Sequence, residues 1–413
     1  MLVQFEGYSF VDGGVVAAKG FQAGGLHCGI RKNKTKKDLS LLVADGPVPT
    51  AAVYTQNKVK GAPIAVTKAH IADGYAQAII VNSGIANTCN ADGIEKAEGM
   101  AKIAAKQLGI KPEDVVVGST GVIGQPLPLE PIQNSIADLA GELSDSVEGG
   151  LHFEEGIMTT DTQPKQVAVE FDLAGKKCRI GGCAKGSGMV HPNMATMLCF
   201  LTTDASITPE LLQAALSKVV NDTFNMVSVD GDTSTNDTCC IMASGVAGNK
   251  VIDRQNEDFS QFVNALYVVL MNLSRMIAAD GEGATRLVEC TVSGARNKEQ
   301  ARVIAKSVIC SSLMKTAIFG ADANWGRALC AIGYAPVDVD VDKIDMAFAS
   351  SAGVLPVCEA GAGIPFSEEI AKEILSQPEV KLLIDLNDGE EQAIAWGCDL
   401  TYDYVRINGD YRT

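Results

Sequence analysis

The sequence predicts an α/β protein of two domains, and three observations predict it. Short buried strands alternate with amphipathic helices as far as about residue 288. The pattern restarts beyond Thr291. Glycine supplies 41 of 413 residues against 14 prolines, an excess that marks tight turns and close backbone approaches rather than low complexity. The hydrophobic share, 46%, is too high for a disordered chain and large enough to bury a proper core.

Taken in order, Ala78–Val81 reads as a short buried strand ending in Asn82-Ser83-Gly84. From Gly93 to Leu108 the apolar positions 97, 100, 101, 104 and 108 share one helical face, and Gly109 supplies the stop. Val115–Val117 is a second buried strand, leading into the loop 118–124. Three prolines follow, at 126, 128 and 131, and then a helix carrying Ile132, Ile136, Leu139 and Leu143. Val167–Leu173 alternates faces, turns at Ala174-Gly175 and is expected to pair with Cys178–Gly182. Met197–Thr202 is another strand, and Thr208-Pro209-Glu210 opens a helix with proline at its first position. Ser260–Ile277 is the clearest long amphipathic helix. The second domain is expected to hold a helix through Ala301–Met314, a strand, a helix through Glu368–Leu375 and a hairpin turning at Asn387-Asp388-Gly389. The boundary falls near 285–290.

With 50 acidic against 34 basic side chains the net charge is −16, which excludes a general nucleic-acid binder. Residues 1–10 carry no basic residue, and no secretory pattern follows. Apolar runs such as Ala265–Met271 fall short of the roughly 20 residues of a membrane span. Twelve cysteines without an export signal predict reduced thiols, with no CxxC pair and Cys239–Cys240 adjacent. The four histidines show no i,i+4 spacing, so neither a metal nor a cofactor is expected, and His27–Cys28 reads as an ordinary pair. These features together predict a cytoplasmic globular protein.

Three segments invite chemistry. The loop Gly118-Ser-Thr-Gly-Val-Ile-Gly124 follows a strand, as a dinucleotide-binding turn does, but the prolines interrupt the helix such a turn needs. Its threonine hydroxyl and backbone N–H groups suit an oxyanion hole instead. Asp338, Asp340 and Asp342 alternate with valines and read as a solvated strand face, because a calcium loop would need glycine where Lys343 stands and glutamate where Ala349 stands. The run 185–198, from Lys185 through His191 to Ala195-Thr196-Met197-Leu198, holds a threonine after a small residue at the start of an apolar strand. That placement suits an N-to-O acyl shift in which the hydroxyl attacks the preceding carbonyl and the peptide bond breaks. The freed Thr196 then combines a nucleophile with its own base, since an α-amino group titrates near about 7.7–8.0.

At these residues the sequence resembles, over nearly its whole length, the ornithine acetyltransferase family (glutamate N-acetyltransferase) of arginine biosynthesis. The resemblance is carried by Lys19-Gly-Phe21, Lys36-Lys-Asp38, Asn82-Ser-Gly84, Ser119–Gly124, Thr159-Thr-Asp-Thr162, Lys185–Leu198, Ser228–Thr238, Asp280–Thr285, Gly320–Arg327 and the tail from Trp396. One departure is Ile85, where the family has asparagine in an NSGNAN run.

The resemblance implies a layered αββα sandwich of the kind shared with N-terminal-nucleophile aminopeptidases. It implies a catalytic domain over 1–288 and a smaller α/β domain over 289–413 whose tail returns to the active site. It implies self-cleavage between Ala195 and Thr196, giving fragments of 195 and 218 residues that stay associated as a heterotetramer. Thr196 would take acetyl from N2-acetyl-L-ornithine and pass it to L-glutamate in ping-pong fashion, with acetyl-CoA as a second donor in the bifunctional case. The oxyanion pair maps onto Thr120 and Gly121. Substrate contacts map onto Thr159 (with Thr160 and Thr162 as neighbouring alternatives), Lys185, Thr196, Glu282, Asn408 and Thr413. Chemically, Lys185 suits a carboxylate and Glu282 an amino group. His191 invites a role as base that the free amine of Thr196 already fills. The rival readings are an aminopeptidase of related fold that passes the acyl group to water, and an amino-acid-binding protein without chemistry.

Overall fold

A 16-residue strand, Leu39–Tyr54, organises the first of two units in the computed structural model, which describes residues 2–191 and 197–410. That unit takes in the chain up to Gly186, the stretch ending at Asn221, and Thr233–Leu273. Phe21–Leu26 and Tyr75–Asn82 flank the strand's first part, both antiparallel, and Val115–Ser119 extends the sheet parallel to Tyr75–Asn82. Past an irregularity between Val43 and Val48, the far end of the strand pairs instead with Thr238–Ala243. From there the sheet continues through Leu198–Thr203, Lys176–Lys185, Gln166–Leu173 and Tyr8–Phe10.

Strand side chains alternate between faces, so each strand serves two cores. Leu42, Ile79, Val81 and Val116 meet Leu198, Phe200, Cys240 and Met242 in one fully buried cluster between the two halves of the sheet. Leu39, Leu41, Ala78, Ile80, Val115 and Val117 face the other way, onto Ala97, Met100 and Ala104 of the helix Gly93–Leu108 and onto Ile132, Ile136 and Leu139 of the helix Glu130–Gly141. Burial on both faces explains why 78–81 and 115–117 read as unbroken apolar runs. The helix Pro209–Val220 packs on the long strand, where the Ala52 N–H donates to Gln213 Oε1 over 3.2 Å. Helix, sheet, sheet and helix thus give the layered α/β architecture. The 23-residue helix Glu257–Ala279 is long and apolar enough to cross a membrane, yet most of its side chains are buried within the fold.

The second unit takes in Ser187–His191, Asp222–Asp232 and the chain from Ser274 onward. Its mixed sheet centres on Leu287–Ala295, which pairs parallel with Glu379–Asp385 and antiparallel with Glu391–Cys398. The expected hairpin at 387–389 is therefore not formed. The turn exists, with Asn387 at φ 49°, but the strands on either side of it each take Leu287–Ala295 as partner, which turn chemistry cannot foresee. The single helix expected over Ala301–Met314 is two, Lys298–Cys310 and Ser312–Phe319. Ser311 leaves the helical region at ψ 111°, and its side chain accepts the Met314 N–H as an N-cap. Nor do Asp338, Asp340 and Asp342 share a strand. Asp340 caps the single turn Val341–Lys343, and Asp338 pairs with Arg296 at 3.0 Å.

Candidate active site

In the first unit, Val115–Ser119 delivers its chain into a loop stapled to Asn82-Ser83-Gly84-Ile85. The Thr120 N–H donates to Asn82 O, the Ala86 N–H to Val122 O and the Val122 N–H to Gly84 O, at 3.0, 2.9 and 3.3 Å. Asn82 adds its own side chain: Nδ2 donates to Ser119 Oγ, and Oδ1 accepts the N–H groups of Gly84 and Ile85. Gly121 has φ +119°, and a Cβ there would lie 2.3 Å from Gly84 O, so only glycine fits. The Thr120 N–H is spent on Asn82, but among the described residues neither the Thr120 hydroxyl nor the Gly121 N–H is given to a protein acceptor. The Ile85 side chain is buried in the cluster beneath the sheet, so the departure from asparagine falls on a core position while its backbone still serves the loop.

Lys185 ends its strand in the same unit, pairing with Leu198, and is buried. Burial lowers the pKa of its ammonium, against the pull of Asp161. Asp161 organises this corner. Its carboxylate accepts from Lys165 Nζ (2.7 Å), the Gly186 N–H (2.7 Å) and the Thr159 N–H (2.9 Å). Burial works against that charge, but the ammonium groups of Lys165 and Lys185 and these hydrogen bonds outweigh it and hold the carboxyl well below its usual range. Thr159 joins through its backbone, its carbonyl also accepting from Lys36 Nζ at 3.2 Å. The Lys36-Lys-Asp38 motif completes the wall. Buried Asp38 accepts the N–H groups of Cys28 and Arg31, and the Arg31 guanidinium donates to Ser83 O and Met158 O. His27 lies 3.4 Å from the same carboxylate. Asp237 is likewise buried, and burial raises its pKa well above the usual value despite hydrogen bonds from Ser234 and Thr55.

In the second unit, Glu282 and Asn408 come together: Asn408 Nδ2 donates to Glu282 Oε2 at 2.7 Å, and the Glu282 N–H donates to Ser187 O. Asp230 anchors the neighbouring chain by accepting the Met189 and Val190 N–H groups at 2.6 and 2.9 Å. Burial, then Asp230, raises the pKa of the Tyr404 phenol beside them. His191 Nδ1 lies 3.1 Å from Ser228 Oγ and 3.4 Å from Cys310 Sγ, and burial with the nearby Lys306 ammonium pushes its pKa down to about 4. A ring already engaged, and with its affinity for a proton lowered this far, is a poor general base near pH 7.

Ala195, Thr196 and Thr413 lie outside the described residues. No three His, Cys, Asp or Glu side chains converge as a metal cluster among the described ones. Sequence reading passed over Asp161, Asp230, Asn236 and Asp237 as site residues. The only signal for Asp161 was its place within Thr159–Thr162. The other three lie in the run Asp230–Thr238, whose short polar side chains read as a hydrogen-bonded turn network supporting the site, with none of them singled out.

A family model described as the ArgJ family matches residues 22–413. The arginine biosynthesis bifunctional protein ArgJ of Caldanaerobacter subterraneus subsp. tengcongensis is 50% identical over 404 residues, spanning 98% of this chain and 99% of its own. Its counterpart from Bacillus subtilis is 46% identical over 405 residues, spanning 98% and 97%. A crystal structure of the ArgJ protein from Bacillus halodurans, 47% identical, matches with a TM-score of 0.50 over 52% of this chain and 100% of its own. The chain belongs to the ArgJ family, the ornithine acetyltransferases whose motifs its sequence carries.

Proposed function

We propose that this chain cleaves itself between Ala195 and Thr196 and then moves an acetyl group from N2-acetyl-L-ornithine to L-glutamate through an ester on Thr196. The free amine of Thr196 takes the hydroxyl proton as Oγ attacks the acetyl carbonyl. The tetrahedral oxyanion collapses, ornithine leaves with that proton on its nitrogen, and the ester remains. The amine of glutamate attacks the ester in turn, N-acetylglutamate departs, and Oγ recovers a proton. Acetyl-CoA is a second donor in this reading. The two fragments stay associated as a heterotetramer, and the enzyme works in the cytoplasm.

The observation that carries the reading is the pair of unspent donors at Thr120 and Gly121, held on a loop that backbone and Asn82 hydrogen bonds fix against the segment 82–86. Preorganised donors of this kind act where negative charge develops, and losing one typically lowers kcat by roughly 10²–10³. The length of the Bacillus halodurans chain adds support: 52% of 413 residues is about 215, and a fragment from Thr196 to Thr413 has 218. Lys185 is assigned to a substrate carboxylate, with Thr159 beside it. Glu282, oriented by Asn408, is assigned to an amino group, and Thr413 closes the set.

The reading is tested by steady-state transfer from N2-acetyl-L-ornithine to glutamate, with Lys185→Met as the probe. Loss of a charge-assisted bond predicts KM higher by about 10–100-fold for both substrates. An unchanged KM removes Lys185 from the site. Release of free acetate with no N-acetylglutamate formed would make the chain an aminopeptidase-like hydrolase.

A further inference from the structure

Asn236 is buried, two residues before the strand Thr238–Ala243, and every polar atom of its side chain is used. Nδ2 donates to Ala86 O at 2.6 Å and to Ser119 O at 3.0 Å. Oδ1 accepts from Thr88 Oγ1 and from Thr235 Oγ1, each at 2.6 Å. The two carbonyls belong to the two sides of the stapled loop: Ser119 precedes Thr120, and the Ala86 N–H is bonded to Val122 O just beyond Gly121. At its other end, Asn236 leads into a strand paired with Leu198–Thr203, where the Thr238 N–H donates to Met197 O at 2.9 Å. One amide therefore ties the loop carrying both oxyanion donors to the strand that follows Thr196 in the chain.

Only an amide satisfies this arrangement. The two carbonyls need two N–H donors and the two hydroxyls need an acceptor. A carboxylate offers no donor and would set its charge against two carbonyl oxygens. A buried carbonyl left unsatisfied relaxes toward other partners, and the loop moves with it.

We propose that Asn236 is a positioning residue for acyl transfer: it fixes the Thr120 hydroxyl and the Gly121 N–H relative to the strand beginning at Leu198. The proposal rests on the oxyanion reading of Thr120 and Gly121. It predicts a defect in turnover rather than in substrate binding, because the side chain of Asn236 is buried and its polar atoms are all bonded within the protein. Misplacement of a catalytic group by about 1 Å costs on the order of 10²-fold.

The test uses the full-length enzyme, with cleavage confirmed by mass before kinetics. Asn236→Asp is expected to lower kcat by about 100-fold while KM for each substrate stays within about threefold, since ground-state contacts are untouched. Thr88→Val, which removes one hydroxyl from Oδ1 and leaves the amide in place, keeps the test open where the aspartate variant fails to fold or cleave. It is expected to lower kcat several-fold with KM unchanged. Added to Thr120→Ala, either substitution should cost less than about threefold more, because the donors it would misplace are already broken as a pair. Unchanged kcat, or losses that multiply with that of Thr120→Ala, would overturn the positioning role. A Thr120→Ala enzyme with normal kcat would instead sink the oxyanion reading itself.

Discussion

Glu154 and Asp161 are two buried carboxyls of the first unit with opposite fates. Asp161 has two ammonium groups near it and stays ionised. Glu154 is fully buried. It accepts the Lys165 N–H through Oε1, and its Oε2 has no hydrogen-bond partner. Burial, only partly opposed by Gln166 and Lys165, raises its pKa from 4.5 to about 8. At pH 7 the folded protein therefore holds Glu154 mostly protonated. Below about pH 4.5 both folded and unfolded chains are protonated and this stability is fully present. Between there and pH 8 the unfolded chain releases its proton while the folded one keeps it, so stability falls as pH rises. Glu154→Gln should remove that slope. Denaturant unfolding from pH 5 to 9 is expected to show the variant gaining on the wild type by up to a few kcal/mol at the alkaline end, on the order set by the shift. Parallel profiles would mean that Glu154 ionises normally. The sequence showed neither role. Lys185 and the threonines stood out as candidates because they sit in motifs, but of the glutamates in 147–157 nothing marked 154 as the buried one.

At the scale of elements, helix Val147–Ile157 lies against the strand Phe21–Leu26 through bare backbone. A Cβ at Gly25 would stand 2.1 Å from His152 O, where no side chain can give way. Gly25→Ala should thus cost about 1–3 kcal/mol, seen as a lower urea midpoint at unchanged slope. A wild-type midpoint would show that helix and strand can separate without penalty. Close approaches of this sort were foreseen only as a surplus of glycine, not by place. Helices such as Gly93–Leu108 were legible to the residue because periodicity and a left-handed Gly109 are local signals. The strand Leu39–Tyr54 was not, because Asp45-Gly46-Pro47 reads as a chain break. The structure absorbs these residues where the pairing shifts between Val43 and Val48. Strand partners in the second unit were equally hidden, being set by packing across nearly a hundred residues.

At the scale of the whole molecule, the chain returns to its second unit twice before Ser274, at Ser187–His191 and Asp222–Asp232, with no change of composition to mark either return. The motifs made the family legible; the tertiary partners of Asn236 were not, since it joins segments more than a hundred residues apart in sequence. The proposed chemistry makes one demand on the molecule as a unit: its chain must be cut once, and the new amino terminus must carry the acyl group. Intact mass spectrometry of the purified protein, with and without N2-acetyl-L-ornithine, reads both at once. The account predicts two fragments, of 195 and 218 residues, with about 42 Da added by the donor to the fragment that begins at Thr196, one acetyl ester on the nucleophile. A single uncut mass of 43.3 kDa from a protein that still transfers acetyl groups would contradict it.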